Sequence, residues 1–483
     1  MTLCDITVDL ASSTPDNVAL SDAARSVTYG ELRSRTDRLA GLISKQGVRP
    51  GEVVLIMLER GVALIEAMIA VWRAGAAFLP VDPASPAAWR SRTVTASGAA
   101  LCLTASHLES VGVRRVDLDL VDLDSGDVPT ALPGPAPDGL AYVIRTSGST
   151  GLPKLATVTH RGLDNVLRTL HDKVLGLNAS AVVVQINSPY FDMGVCDVLL
   201  ALGAGARLEI SDGLPSLAEV INSRCITHAL LPAALVRTLD PDEVPSLRFV
   251  MSSGAVCWTE TLRQWASKVQ FVNGYGPAET APLATLYVAD PTSLPDLVTA
   301  PLGDPVAGVR LHLLDDALTP VPEGSPGQIC IAGPNVGLGY LGQPEETARR
   351  FRPDPFGSQD DRLYLTGDRA IRRPDGTLEF LGREDFQVKI RGFRVELGEV
   401  ERALAELPGV LDAVVIADPR IDSGRLLGYV RLAGDGAVTP KQVRAALATQ
   451  LPAYMVPGIV TIMADWPFAQ NGKIDRAGLP LPR

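Results

Sequence analysis

Residues 145–154 read RTSGSTGLPK, a run of hydroxyl side chains and glycines that ends in a proline and a lysine. Thr146, Ser147, Ser149 and Thr150 supply hydroxyls, Gly148 and Gly151 free the backbone, and Lys154 supplies an ammonium. That combination suits the oxygens of a polyphosphate. It is not a P-loop, which needs G-x-x-x-x-G-K-[ST] opening a helix. Here Gly151 is followed by Leu152, Pro153 and Lys154, and Pro153 has no amide to donate. From these residues alone, a linker of the same composition stays open as an alternative.

Positioning such a loop requires a frame, and the chain is long enough to build one. Its 483 residues exceed what one hydrophobic core usually supports, so at least two domains are expected. A 46% hydrophobic and 20% charged composition is that of a folded chain. The formal charge of −11 and the lack of any Lys/Arg cluster argue against nucleic acid as a partner. Six cysteines without a C-x-x-C pair favour reduced thiols in a cytoplasm over disulfides, and five scattered histidines argue against a His-based metal site. The N-terminus has no basic n-region or long apolar h-region, so no signal peptide is expected. The apolar stretch VALIEAMIAVWRAGAAFLPV carries Glu66 and Arg73, which fits a packed helix and strand better than a membrane span.

Residues 29–47 read as an amphipathic helix entered from Thr28, and EVVLIML at 52–58 as a buried strand. Strand-like runs then alternate with helical patterns through FLPV, AYVIRT, AVVVQI, HALLP, RFVMSS and QFVNGYG, which argues an α/β architecture with mainly parallel sheets. RTSGSTG, SSG and NGYGPAE each follow a strand in this reading, where sites in such sheets form. After about residue 300 short strands punctuated by Gly, Pro and Asp point to a β-rich subdomain. Beyond Arg383 comes a compact αβ unit: helix 395–410, two strands, the helix TPKQVRAALATQLP and the strand GIVTIMADW.

Five stretches, LAYVIRTSGSTGLPK, NGYGPAET, YLTGDR, GREDFQVKIRGFRVELGEVE and NGKIDR, follow one another in this order. Weaker companions are VTYGEL at 27–32, WRAGAAFLPVD at 72–82, GQICIAGPNVGLGYLG at 327–342 and LPAYMVP at 451–457. Together they resemble the core motifs of the adenylate-forming superfamily, most closely the amino-acid adenylation domains of nonribosomal peptide synthesis. The resemblance runs from about residue 12 to the C-terminus. It implies a large N-terminal domain, 1–384, of two αβ sheet subdomains plus a β-rich subdomain, and a small mobile α+β C-terminal domain, 385–483.

It also implies roles. The 146–151 loop, with Lys154 and Gly254, would hold ATP, Lys473 would bridge the carboxylate and the α-phosphate as the catalytic lysine, and Asp368 would accept the ribose hydroxyls. Arg383 would be a second nucleotide contact, Asn273 would meet the adenine amino group, Tyr275 would stack on the ring, and Glu279 would hold Mg²⁺. Asp385 would be the hinge about which the small domain rotates between adenylation and thiolation. Two departures are expected to slow the chemistry rather than abolish it. Leu155 stands where the family has glycine, and Ala278 where it has threonine, whose hydroxyl a neighbour such as Thr280 could replace.

PYFDMGVCD at 189–197 aligns with the family's Phe-Asp-x-Ser segment, which makes Asp192 the partner of a substrate ammonium and puts Gly194 in the serine's place. The side-chain pocket is then expected from Met193, Cys196, Ala229, Met251, Ser253, Gly274, Pro282 and Leu283, a neutral lining with sulfur and aliphatic groups. The expected function is activation of an amino acid by ATP, with release of pyrophosphate and transfer to a carrier-protein phosphopantetheine thiol. The chain runs ten residues past Lys473 without a Gly-Gly-x-Ser-Leu-like attachment site, so a carrier in trans is expected. A β-amino acid, a coenzyme A ligase for a non-amino acid and a non-catalytic nucleotide-binding relative are the alternatives.

Overall fold

Thr28 caps the first long helix, Tyr29–Lys45, through a capping box: its side chain accepts from the Glu31 amide while the Glu31 carboxylate accepts from the Thr28 amide. The computed structural model describes residues 2–129, 131–146, 153–211, 216–358, 361–383, 387–421, 424–433, 438–467 and 474–482. The expected strand at 52–58 is Val53–Ile56, with all four residues buried. The apolar stretch that follows is a helix, Val62–Arg73, and a strand, Ala77–Pro80. Its Glu66 is buried, and Arg25 and Arg35 donate to its carboxylate at 2.7 and 2.6 Å, so the charge is compensated inside the protein. Among the described residues no helix is long and apolar enough to cross a membrane, and all six cysteines are free thiols.

The chain divides into two compact units. The first takes in Met1–Pro83, Ser97–Arg145 and Leu155–Glu384. Among its described residues, a nine-stranded sheet runs in the order Asp304–Pro305, Thr285–Val288, Gln270–Tyr275, Phe249–Ser253, His228–Pro232, Val182–Gln185, Arg207–Ile210, Val18–Ser21, Ser26–Thr28. The six strands from Gln270–Tyr275 to Val18–Ser21 pair in parallel, and the edges are antiparallel. A seven-stranded sheet contains Val53–Ile56, Ala77–Pro80 and Leu140–Thr146 at its centre. One apolar cluster joins the two sheets. It holds Phe78 and Tyr142 from the seven-stranded sheet, Leu230, Met251 and Val272 from the nine-stranded one, and most of the helix Asp192–Gly203. A five-stranded sheet built on Gly327–Ala332 and Arg362–Arg372 follows after residue 300, as the Gly-, Pro- and Asp-punctuated sequence implied.

The second unit takes in Asp385–Arg483 together with Ala84–Ala96 and Thr146–Lys154. It carries a hairpin, Gln387–Ile390 with Phe393–Glu396, and the sheet Val410–Ala417, Leu426–Leu432, Ile459–Ile462. The helices Leu397–Ala405 and Pro440–Ala448 pack on them. The first helix starts two residues later than read, because Val395 and Glu396 complete the hairpin. Trp89, on the helix Ala87–Ser97, is buried with Val395, Leu404, Val430 and Met455, which explains why 84–96 groups with residues 300 positions away.

His160 opens the helix His160–Lys173 in the first unit, its ring edge-on to Trp72 at 5.7 Å and its Nε2 without a hydrogen-bond partner among the described residues. Burial lowers its pKa from 6.5 to about 4. The folded state therefore holds a neutral imidazole that the unfolded chain would protonate. Its stabilising share is fully present above pH 6.5 and is lost as pH falls to about 4, roughly 3 kcal/mol in all. In urea unfolding over that range, His160→Leu should show a shallower loss of stability with acid than the wild type. Parallel curves would mean that the ring protonates without unfolding.

Candidate active site

Asp368 lies on the strand Arg362–Arg372, directly across from Arg383 on Leu378–Arg383. Both of its carboxylate oxygens have protein donors: the Tyr275 hydroxyl to Oδ2 at 2.7 Å and Arg383 Nη1 to Oδ1 at 2.5 Å. Arg383 Nη2 also donates to the Thr366 carbonyl at 3.0 Å, and the Asp368 amide donates to Thr366 Oγ1 at 2.9 Å. Burial, reinforced by the Asp368 charge, pushes the Tyr275 phenol well above its usual pKa, so it stays a donor. Tyr275 ends the strand Gln270–Tyr275, at the carboxyl edge of the parallel sheet, where α/β sites form. Asn273, on the same strand, donates from Nδ2 to the Pro301 carbonyl at 2.8 Å, which leaves its amide oxygen as the acceptor an amino group would need. Gly254 follows the neighbouring strand Phe249–Ser253 at φ +77°.

Glu279 is fully buried and accepts from the Tyr340 hydroxyl at 2.8 Å. Two residues on, Ala281 holds φ +56°, a left-handed conformation rare outside glycine and a mark of local strain. No group of three or more His, Cys, Asp or Glu among the described residues could hold a metal by itself. One carboxylate is nevertheless the donor set that fits Mg²⁺, which keeps its waters and takes substrate phosphate oxygens rather than an all-protein cage. The Thr280 hydroxyl donates to the Pro277 carbonyl at 3.2 Å and is buried, so it is engaged within its own turn rather than free to replace the missing threonine. Leu155 is a fully buried strand residue whose carbonyl accepts from Leu341, a packing role that glycine would not fill.

Thr146 and Lys154 are both buried and belong to the second unit, where the Thr146 hydroxyl lies 3.5 Å from the Lys154 carbonyl. Ser147, Gly148, Ser149, Thr150 and Gly151 of the loop, the hinge candidate Asp385 and the catalytic candidate Lys473 lie outside the described residues.

Asp192 is the first residue of the helix Asp192–Gly203, where unpaired amides favour a carboxylate, and its Oδ1 accepts from the Met193 amide at 2.9 Å. Cys196 stands one turn further on and is fully buried. Burial, then the Asp197 and Asp192 charges, push its thiol well above the usual range, so it is a packing group and not a nucleophile. Met251, Gly274 and Leu283 meet closely: a Cβ on Gly274 would lie 3.0 Å from Met251 Sδ and 3.1 Å from Leu283 Cδ2. Pro282 is buried beside them in sequence, Met193 packs half-buried on the same cluster, and Ser253 shares the Met251 face two residues along the strand.

Ala229 does not join this group. It pairs with Val250 and packs in the cluster on the opposite face of the sheet. Leu230, the partner of Met251, occupies the face on which Ala229 was expected. Side chains alternate along a strand, so a one-residue error in anchoring reverses the face. Leu230 was missed because Ala229, Leu230 and Leu231 are apolar in succession and give no parity. Tyr340 and Tyr142 were missed because neither lies in a polar stretch.

Gly194 has a structural cause. A Cβ there would come 2.4 Å from the Ser188 carbonyl oxygen and 2.7 Å from Pro189 Cα. The turn before Asp192 is packed against the helix backbone, and the serine of the resembling motif would not fit it.

Residues 9–341 match the family model described as AMP-binding enzyme, and residues 399–473 the one described as AMP-binding enzyme C-terminal domain. The chain is 40% identical over 496 residues to phosphinothricin tripeptide synthetase PhsC of Streptomyces viridochromogenes, covering 100% of this chain and 45% of that protein. It is 36% identical over 482 residues to tyrocidine synthase 2 of Brevibacillus parabrevis, covering 98% and 13% respectively. The chain thus spans less than half the length of these curated relatives. Among solved structures, it superposes on NpsA-ThdA, an artificially fused adenylation-PCP di-domain NRPS from Klebsiella oxytoca, with a TM-score of 0.84 and 27% identity, over 95% of this chain and 93% of that one. Holo-PA1221, an NRPS protein containing adenylation and PCP domains and bound to a vinylsulfonamide inhibitor, gives a TM-score of 0.86 and 27% identity, over 99% and 83%.

The close approach at Gly194 makes a direct prediction. Gly194→Ala should lower stability by about 2 kcal/mol through overpacking, read as a lower urea midpoint. An unchanged midpoint would mean that the turn at 188–191 yields freely.

Proposed function

The chain belongs to the AMP-binding enzyme family, and we propose that it activates an amino acid as its adenylate and passes the acyl group to a carrier-protein thiol. The observation that carries this reading is Asp192: a carboxylate on the first turn of a buried helix, at the margin of an apolar cluster. A carboxylate at that margin draws a cation towards it, and a substrate ammonium supplies one. A non-amino acid brings no opposite charge to meet it. The neutral lining of Met193, Cys196, Leu230, Met251 and Leu283 supports an amino acid whose own side chain is uncharged and mainly apolar. The adenylation and carrier domains named in the solved structures support the transfer step.

In the proposed reaction, a carboxylate oxygen of the amino acid attacks the α-phosphorus of ATP. The bond from that phosphorus to the bridging oxygen of the β-phosphate breaks, and pyrophosphate leaves with the bonding pair. The thiolate of the carrier's phosphopantetheine then attacks the acyl carbon, and AMP leaves. Both steps bring anions together, so positioning and charge neutralisation do most of the work. Asp368, held by Tyr275 and Arg383, would receive the ribose hydroxyls on its remaining lone pairs. Asn273 would read adenine through its amide oxygen, and Thr146, Lys154 and Gly254, with the loop 147–151, would meet the phosphates. Mg²⁺, held by Glu279 and the phosphate oxygens, would offset their charge. Lys473 would neutralise the charge developing between carboxylate and α-phosphate. The domains would be 1–384 and 385–483, turning about Asp385 between the two half-reactions.

Amino-acid-dependent pyrophosphate exchange across a substrate panel tests the reading as a whole. Exchange driven only by non-amino acids would favour a coenzyme A ligase, and tight nucleotide binding without exchange a non-catalytic relative. Lys473→Ala should cut adenylate formation at least ~10²-fold while nucleotide binding changes little; activity within tenfold of wild type would remove the lysine from its role. Asp192→Asn keeps the size of the group and removes its charge. It should weaken amino-acid binding by ~2–5 kcal/mol and spare a des-amino acid of the same shape. Equal losses for both acids would make the aspartate structural.

A further inference from the structure

Tyr142 is one of the large side chains with a polar tip in the cluster that joins the two main sheets. It sits in the middle of the strand Leu140–Thr146, is fully buried, and has its ring stacked on Phe78 at a centroid distance of 5.7 Å. Among the described residues nothing hydrogen-bonds its hydroxyl. Buried polar groups are nearly always paired, so an orphaned phenol on a rigid strand asks for a partner that arrives from outside the chain. Its surroundings indicate which partner. Cys196 is buried in the same cluster as Tyr142, and Met193, next to Asp192, packs half-buried against it. Asp192 and Cys196 stand one turn apart on one helix, hence on one side of it, and burial followed by the Asp192 charge raises the pKa of the phenol.

An ammonium has three N–H donors, and a buried cation is tolerated only when they are met. The Asp192 carboxylate already accepts from the Met193 amide, and the Cys196 thiol is a weak acceptor. We propose that the Tyr142 hydroxyl is a second partner of the substrate ammonium, accepting one of its N–H groups beside Asp192. A phenol accepts and donates at once, so the same group can still donate to the carboxylate. Tyr142 then reads the amine and not the side chain, and is a substrate-binding residue of the activation step. The inference rests on the amino-acid reading above and adds to it a residue drawn from the other sheet.

Tyr142→Phe keeps the ring and its stack on Phe78 and deletes only the hydroxyl. Pyrophosphate exchange is measured on wild type and variant with the best amino acid and with the des-amino acid of the same shape. The KM for the amino acid should rise about tenfold or more, the loss of one hydrogen bond to a charged group. Turnover at saturation and the KM for ATP should stay within about twofold, and the des-amino acid should be unaffected. The melting temperature should hold or rise, because an unpaired buried hydroxyl has gone. An unchanged amino-acid KM would overturn the proposal, as would equal losses for both acids, which would mark the hydroxyl as structural. A wild type with no amino-acid-dependent exchange would overturn the amino-acid reading and this inference together. An active wild type with an indifferent variant would overturn this inference alone.

Discussion

The hydrogen bond from Tyr275 to Asp368 spans 93 positions of sequence and ties the end of the parallel nine-stranded sheet to the β-rich sheet that follows it. Around it the apolar residues Ala284, Leu302, Val306, Ile329, Ile331 and Ala370 close a single small core. A buried carboxylate stays charged only with donors at hand, and here the donors come from two different sheets. Arg383 reaches Asp368 from the adjoining strand, while Tyr275 reaches it from the other sheet. Moving either sheet would strand a charge, so the contact fixes the relative seat of the residues proposed to hold the nucleotide.

The same rule governs the other buried acids, with different solutions. Glu66 is met by two arginines. Glu279 takes the Tyr340 hydroxyl. Asp197, fully buried behind Asp192, accepts from Asn187 at 3.1 and 3.2 Å, and burial pushes its carboxyl well above the usual range. Asp197 is enclosed by protein partners, whereas Asp192, at the first position of the helix, is only half-buried and is the acid of that turn that a ligand can reach. Arg60 supports the same region by donating to the carbonyls of Gln185 and Asn187, which lead into the 188–191 turn, and to that of Ser211 after the neighbouring strand Arg207–Ile210. Strand ends, turn and helix start are therefore positioned by the Arg60 side chain and the Asn187–Asp197 contact.

Motif order and strand hydrophobicity made the family, the α/β class and most elements legible. Thr28 and Glu31 announced a helix start, and the runs at 53–56 and 77–80 could only be buried. What the residues left unread was direction. A strand buried on both faces is apolar at every position, so parity has no signal. For that reason Leu230 and Ala229 changed places, and Tyr142, inside AYVIRT, looked like plain core. Partnerships across long separations were equally silent: nothing near Glu279 names Tyr340, which stands 61 residues away. Trp89 gave no sign that its helix packs with the C-terminal unit.

On the proposed reading, the two ends of the substrate are held by elements of different stiffness. Asp192 sits on a helix start stabilised by backbone amides, and Tyr142 at the centre of a strand; neither can move without moving the sheets they join. The side-chain end is lined by Met193 and Met251, unbranched residues that change rotamer cheaply. The one vacancy that glycine could offer, at Gly274, is already approached by the Met251 sulfur, so the available space depends on where that sulfur swings. A methylene more or less in an apolar pocket changes binding by only about 1–3 kcal/mol even when the walls are rigid, and mobile walls reduce that further. A substrate without the ammonium forfeits the charge contact with a fixed carboxylate and leaves the phenol without its proposed partner, and no rotamer change can make that good. Selection in this site therefore falls steeply on the presence of the amine and gently on the shape of the side chain.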